Sequence, residues 1–330
     1  MAQKTVFQQL AAAVGAENSN LIPKIIEALV DENEVRVVLA ASPPKTVDEL
    51  AKDTGYPAGD VEKMIDPLFK KGLLFKSKKP DATRYYRVRS LLQFHDATIL
   101  APDATEAFFD LWREYHKKEF KADHKKIESM LPRSAVRVVP INVTLSPENR
   151  IAPFEDVKQI VERAQSLAVT PCTCRVVDGS CGKTVEVCIQ LNKAAEYSLE
   201  RGSGRKLTKE EALDMLKQCE EEGLVHTVSN TRGLGHIICN CCKDCCINWP
   251  GERTSGINFA APSRFAAVVD DALCTACEEC VDRCYFDAIA VADVAMIHEE
   301  KCMGCGLCLV TCPVEAISLR ELREESFVPE

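Results

Sequence analysis

A cysteine spacing that occurs twice near the C-terminus restricts this chain more than any other feature. Cys274, Cys277, Cys280 and Cys284 follow the pattern Cys-x2-Cys-x2-Cys-x3-Cys, and Cys302, Cys305, Cys308 and Cys312 repeat it 28 residues later. The correspondence reaches past the cysteines, since Asp287-Ala288-Ile289 matches Glu315-Ala316-Ile317 at the same offset. The segment is a duplicated unit. Its apolar runs, Phe265 to Val269, Ile289 to Val291, Ala295 to Ile297 and Ala316 to Leu319, read as short strands. Structural zinc sites use separated cysteine pairs, so three closely spaced cysteines with a later fourth argue against a pair of zinc ions here.

Over about residues 262 to 320 the pattern resembles the bacterial-type ferredoxin domain with two [4Fe-4S] clusters. In that family the fourth cysteine of each run crosses to the other cluster. The resemblance implies that Cys274, Cys277, Cys280 and Cys312 hold one cluster, and Cys302, Cys305, Cys308 and Cys284 the second. A loop with cysteine at every third residue can wrap three corners of a cubane. Ala276, Gly304 and Gly306 are small enough to let the backbone approach the sulfurs. Pro313 follows Cys312 as in the family, whereas Tyr285 follows Cys284 where proline is common.

Nine further cysteines crowd two segments: Cys172, Cys174, Cys181 and Cys188 in PCTCRVVDGSCGKTVEVC, and Cys239, Cys241, Cys242, Cys245 and Cys246 in ICNCCKDCC. So many thiols are poor core packing and an oxidation hazard, which points to metal ligation. A zinc site using Cys242-x2-Cys245 would leave five of the nine unexplained. A redox-active thiol pair lacks the surrounding β-α-β pattern. One or two further iron-sulfur clusters account for more of them and are the preferred reading, with zinc as the alternative. Adjacent Cys241 and Cys242 cannot easily aim at one corner, which leaves two iron atoms, two clusters or an unusual cluster shape, and the two segments are expected to meet in space. The order of these elements ahead of a ferredoxin unit resembles a group of multidomain iron-sulfur proteins of anaerobic bacteria. Cys219 lies with Ala212, Met215 and Leu216 on the apolar face of a helix opened by the box Thr208-x-x-Glu211, and reads as core. His226 and His236 could each replace a thiolate, but a strand histidine with its own hydrogen-bond partner is the preferred reading. Arg175 and Lys183 offset thiolate charge or face water.

The N-terminal part has a different character. Thr46-x-x-Glu49 opens a short helix, Gly55 turns the chain, and Val61, Met64, Ile65, Leu68 and Phe69 line a second helix ending at Gly72. Two extended runs around the polar tip KSKKPDAT complete an order that resembles a winged helix over roughly residues 20 to 90. Asp60, Glu62, Asp66 and Pro67 on the second helix argue against base reading, so protein docking ranks above DNA binding. Residues 102 to 131 read as one long polar helix that connects or forms a homodimer.

The expected fold class is α+β multidomain. An N-terminal winged-helix-like domain spans 1–130, a cysteine-rich metal- or cluster-binding domain 131–255, and a ferredoxin-type domain 256–330. The net charge of -9 and an aromatic content of 6% disfavour general nucleic-acid binding. The N-terminus lacks a basic and apolar leader, no run is long enough for direct membrane insertion, and the thiols suit a reducing cytoplasm. No acid-base dyad, activated nucleophile or nucleotide fingerprint stands out. The expectation is an electron-transfer protein or subunit passing single electrons to or from a flavoprotein or an iron-sulfur oxidoreductase. The alternatives are a redox-responsive DNA-binding regulator and an enzyme with a substrate-binding iron-sulfur site.

Overall fold

The computed structural model describes residues 4–141, 151–249 and 258–330. The chain separates into two compact units. One is Met1–Lys125 with Val176–Asp178 and Arg201–Ser203; the other is Lys126–Arg175, Gly179–Glu200 and Gly204–Glu330. Residues 131–255 and 256–330, read from the sequence as separate domains, fall in the second unit apart from Val176–Asp178 and Arg201–Ser203. The boundary expected at 255–256 lies outside the described residues.

The first unit opens with α1 (Val6–Ala13), α2 (Ile22–Glu27), α3 (Glu32–Ala40), α4 (Val47–Thr54) and α5 (Ala58–Lys70). The hairpin β1 (Leu74–Lys78) and β2 (Thr83–Arg87) follows, then α6 (Leu91–Thr98), α7 (Glu106–Lys118) and α8 (Phe120–Met130). The box at α4 forms as its residues dictate, with Thr46 Oγ1 accepting from Glu49 N–H at 3.3 Å and the Glu49 carboxylate accepting from Thr46 N–H at 2.7 Å. Val61, Ile65, Leu68 and Phe69 of α5 are buried. Gly72 ends that region at φ +79°, where a Cβ would lie 2.7 Å from the Ala97 backbone. The lysines near α5 are paired with acids: Lys63 with Asp60 at 3.0 Å, Lys70 with Asp66 at 2.8 Å, and Lys71 with Glu34 at 3.6 Å.

The long helix expected over 102 to 131 is two helices, α7 and α8. The chain leaves helical geometry at Glu119, where φ is −122°. Its carboxylate accepts hydrogen bonds from the Ser19 hydroxyl and the Asn20 amide, beside the start of α2. A polar side chain recruited by a distant segment thus interrupts a run whose periodicity is continuous. Trp112 of α7 is fully buried, with Phe94 at 5.6 Å and Tyr115 at 5.6 Å.

The second unit is built on a seven-stranded sheet. Its elements are β3 (Val136–Val138), α9 (Val157–Arg163), β4 (Leu167–Pro171), α10 (Thr173–Val177), β5 (Glu186–Leu191), α11 (Lys193–Arg201), β6 (Arg205–Lys206), α12 (Lys209–Glu221), β7 (Val225–Ser229), β8 (Ile237–Cys241) and β9 (Ala260–Ala261). The strand order is β6-β4-β5-β8-β7-β3-β9, antiparallel except for β3 with β9. Helices α9 and α12 cover one face through Val157, Ile160, Val161, Ala212 and Leu216, packed on Val169, Ile189, Val228 and Ile238. Val138, Val225 and Ala260 pack instead with Met303 and Leu307 of the cysteine repeat. Strand alternation explains the division, because Val138 precedes Val139 of the first core and Val225 stands three residues before Val228.

The repeat comprises β10 (Phe265–Val269), α13 (Glu279–Arg283), β11 (Ile289–Val291), β12 (Ala295–Ile297) and β13 (Ile317–Glu321). Strands pair across the duplication: Ile289 faces Ile297, and their equivalents 28 residues away, Ile317 and Val269, face each other. The backbone repeats as well. Ala276, Glu278 and Asp287 have positive φ, and so do Gly304, Gly306 and Glu315 at the same offset. At Gly304 a Cβ would come within 2.1 Å of the Phe265 carbonyl oxygen, so that position has room only for glycine.

Arg264, just before β10, is buried and forms a two-pronged pair with buried Glu155: Nε to Oε1 at 2.7 Å and Nη2 to Oε2 at 2.9 Å. Glu321 of β13 accepts from its Nη1 at 2.7 Å. Removing one partner of a buried pair strands the other charge. Glu155→Ala is expected to lower stability by about 3–5 kcal/mol in urea denaturation, and a loss under about 1 kcal/mol, the range of exposed pairs, would contradict this.

Candidate metal centres

The repeat forms two cavities, each lined by four cysteines. One is lined by Cys302, Cys305 and Cys308 from the second run and Cys284 from the first. The other is lined by Cys274, Cys277 and Cys280 from the first run and Cys312 from the second. The cross-strand pairing produces this exchange, because each half carries its last cysteine to the strands of the other. The backbone donates to the exchanged sulfurs in matching fashion, with Ala288 N–H to Cys284 Sγ at 3.4 Å and Ala316 N–H to Cys312 Sγ at 3.2 Å.

Four thiols around a cavity of this kind are a soft donor set that suits a cubane iron-sulfur cluster. The two quartets differ in exposure: Cys302 and Cys308 are buried, while Cys277 is exposed. Burial pushes the Cys305 thiol up to about 12 and raises Cys308 and Cys280 as well. Ligation therefore has to release protons from these groups.

The departure at Tyr285 has a structural reason. The Tyr285 hydroxyl donates to the Gly223 carbonyl, and Arg283 Nη2 donates to the Glu220 carbonyl at 3.0 Å. Both fasten the first repeat to the corner between α12 and β7. Pro313, at the equivalent place in the second repeat, has no side-chain donor to make such a contact.

The nine cysteines of the middle segments come together from β5, β8, helix α10 and the loops beside α10 and after β8. Cys239 and Cys241 share a face of β8, since they stand two apart on a strand. The register Ile189 with Ile238, carried one step further, places Cys188 of β5 opposite Cys239. Six thiols form a loop of neighbours that is looser between Cys172 and Cys188. Cys188 and Cys239, Cys239 and Cys241, Cys241 and Cys246, Cys246 and Cys174, and Cys174 and Cys172 are each within hydrogen-bonding reach, and Cys172 again feels Cys188. Donation from Cys239 and Cys246 holds Cys241 well below the usual thiol range, and burial pushes Cys246 well above it.

Cys242 turns away from its neighbour Cys241. Its sulfur lies with those of Cys181 and Cys245, all within 4.8 Å of one another. The structure thus divides the nine into a ring of six and a triad of three. Cys219 belongs to neither group and packs with Val187, Leu224, Cys242 and Cys245 in a small apolar cluster, as its helical position suggested.

Neither histidine joins a thiol group. His226 is fully buried, with Nδ1 2.6 Å from Asn240 Oδ1 and Nε2 3.2 Å from Glu220 Oε1; His236 is exposed. Sequence reasoning missed the polar side chains around the ring. Gln190 donates to Cys188 Sγ at 3.5 Å, Asn248 to Cys241 Sγ at 3.6 Å, and Thr227 Oγ1 lies 3.7 Å from Cys241 Sγ. The one available signal was strand alternation, which sets Gln190 on the face of Cys188.

Residues 295–318 match the 4Fe-4S binding domain family, Fer4, and so include the whole second run of cysteines. No curated protein and no solved structure matches the chain. The C-terminal region therefore carries an iron-sulfur binding domain, within a chain where no helix among the described residues is long and apolar enough to cross a membrane.

The His226 geometry generates a direct test. His226→Gln should leave iron and zinc per chain unchanged, because the ring touches no metal-ligating thiol, and should cost about 1–3 kcal/mol for the unpaired Glu220 and Asn240. Loss of metal without loss of stability would make His226 a ligand.

Proposed function

We propose that this protein is an iron-sulfur electron-transfer protein or subunit, with two [4Fe-4S] clusters at its C-terminus and a third centre in the ring of six thiols. The observation that carries this reading is the pair of cavities, each lined by four cysteines exchanged between the repeats. When bound, such clusters supply reversible one-electron chemistry at potentials tuned by charge, hydrogen bonding and exposure. The chain's own contribution is to hold the two quartets side by side in one apolar cluster that includes Cys280, Cys302 and Cys308.

The exposed end of the repeat is the expected contact with a redox partner, a flavoprotein or another iron-sulfur protein. Cys277 reaches the surface there, and the apolar side chains Leu273, Met296 and Val314 are exposed. Glu278 and Glu279 add negative charge between Cys277 and Cys280, where the second repeat has Gly306 and Leu307. A partner with a basic rim around an apolar centre fits this surface. DNA binding by the first unit ranks lower, because the lysines near α5 are already paired with acids. A cytoplasmic site of action agrees with the number of free thiols.

The full chain, purified without oxygen, tests the reading through its two quartets separately. Reduction adds negative charge, which nearby carboxylates oppose. Changing Glu278 and Glu279 together to glutamine should raise the potential of one cluster by on the order of tens of mV, a modest size because water and salt screen exposed charges. The other cluster should not move. Equal shifts, or a chain that binds no iron and sulfide, would contradict the proposal.

A further inference from the structure

The triad Cys181, Cys242 and Cys245 differs in kind from the other thiol groups. Tetrahedral zinc with Zn–S bonds of about 2.3 Å places its sulfurs about 3.8 Å apart. The triad has its three sulfurs mutually within 4.8 Å, and among the described residues no other trio of metal-binding side chains is so compact. The two quartets surround cavities, and the ring is an open loop of pairwise neighbours. The triad has the dimensions of a set closing on one ion.

Its local structure is made for that purpose. Cys242 and Cys245 sit on a tight turn in which Cys245 N–H donates to Cys242 Sγ at 3.3 Å. Cys181 is brought up by a loop with Gly179 at φ +70° and Gly182 at φ +63°. The Ser180 hydroxyl lies 3.6 Å from Cys245 Sγ. Val187, Cys219 and Leu224 provide an apolar shell around Cys242 and Cys245.

Charge supplies an independent argument. Arg175 is 2% exposed, its guanidinium donates to the carbonyls of Thr184 and Asn240, and its Nε has no hydrogen-bond partner. The ionisable side chains beside it include thiols: Cys172 of the ring, and Cys242 and Cys181 of the triad. A buried guanidinium needs a counter-charge. Three thiolates on a divalent ion carry one net negative charge, which Arg175 balances.

We propose that Cys181, Cys242 and Cys245 bind one zinc ion, distinct from the ring of six, with the fourth coordination position left to water or another exogenous ligand. Zinc is favoured over softer monovalent ions because three sulfurs in a tetrahedral arrangement leave a neutral assembly with Arg175 only for a divalent metal. Binding releases the three thiol protons, and no electron changes hands. The site goes beyond the electron-transfer role and does not depend on it.

The experiment uses the full chain from zinc-replete cells, purified without oxygen, with zinc and iron measured per chain. The wild type should hold about one zinc. Cys181→Ser should lose most of it, roughly fivefold or more, with iron unchanged. Zinc X-ray absorption on the wild type should give three sulfurs and one lighter ligand, and decides the matter even if the variant does not fold. A wild type without zinc, a folded variant that keeps it, loss of iron instead of zinc, or a four-sulfur zinc shell would each overturn the proposal. One zinc in a chain devoid of iron would sink the electron-transfer reading and leave this site standing.

Discussion

Each half of the C-terminal repeat gives its last cysteine to the cavity of the other, so neither half can complete four thiols alone. Cys284 and Cys312 make that exchange, and the strands β10 with β13 and β11 with β12 pair across the duplication to carry it. Much else in the region follows from this constraint. The positive φ angles at Ala276 and Glu278 and at their counterparts Gly304 and Gly306 bend each loop around three sulfurs. Gly304 has to be glycine because the loop runs against the Phe265 carbonyl. A duplicated unit of this kind folds as a whole, since its core is made of residues from both copies.

The middle sheet solves the opposite problem of keeping nearby thiols apart. Strand alternation places Cys239 and Cys241 together, and the turn after β8 sends Cys242 and Cys245 to a different group. Arg175 lies between ring and triad, close to thiols of both. Tyr285 is close enough to Cys242 and Cys305 to feel both electrostatically, while its hydroxyl is fixed on Gly223. The thiol groups of the second unit are thus bridged by side chains such as Arg175 and Tyr285 rather than by one continuous file of cysteines.

The readable part of this architecture was the part governed by short-range rules. Ligand spacing identified the repeat, and the apolar runs 265 to 269, 289 to 291 and 295 to 297 are strands with those bounds. The capping boxes at Thr46 and Thr208 form as their spacing requires. What escaped depends on residues distant in sequence. Glu119 breaks a periodic helix because Ser19 and Asn20 reach it from about a hundred residues away. The adjacency of Cys241 and Cys242 points their thiols apart, but the group each one joins depends on where Cys181 and Cys246 arrive. Arg175 read as a surface or charge-offsetting residue, and its burial among thiols is a property of the folded sheet alone.

Two cysteine quartets sit side by side, each with its last cysteine exchanged. Electron paramagnetic resonance of the fully reduced, anaerobically purified chain tests this arrangement most directly, because unpaired spins on adjacent clusters interact. The expected result is a broadened signal of coupled centres, which simplifies to one isolated centre when Cys284 is changed to alanine and its quartet is left incomplete. Two sharp, independent signals in the unaltered chain, or an unchanged spectrum in Cys284→Ala, would contradict it.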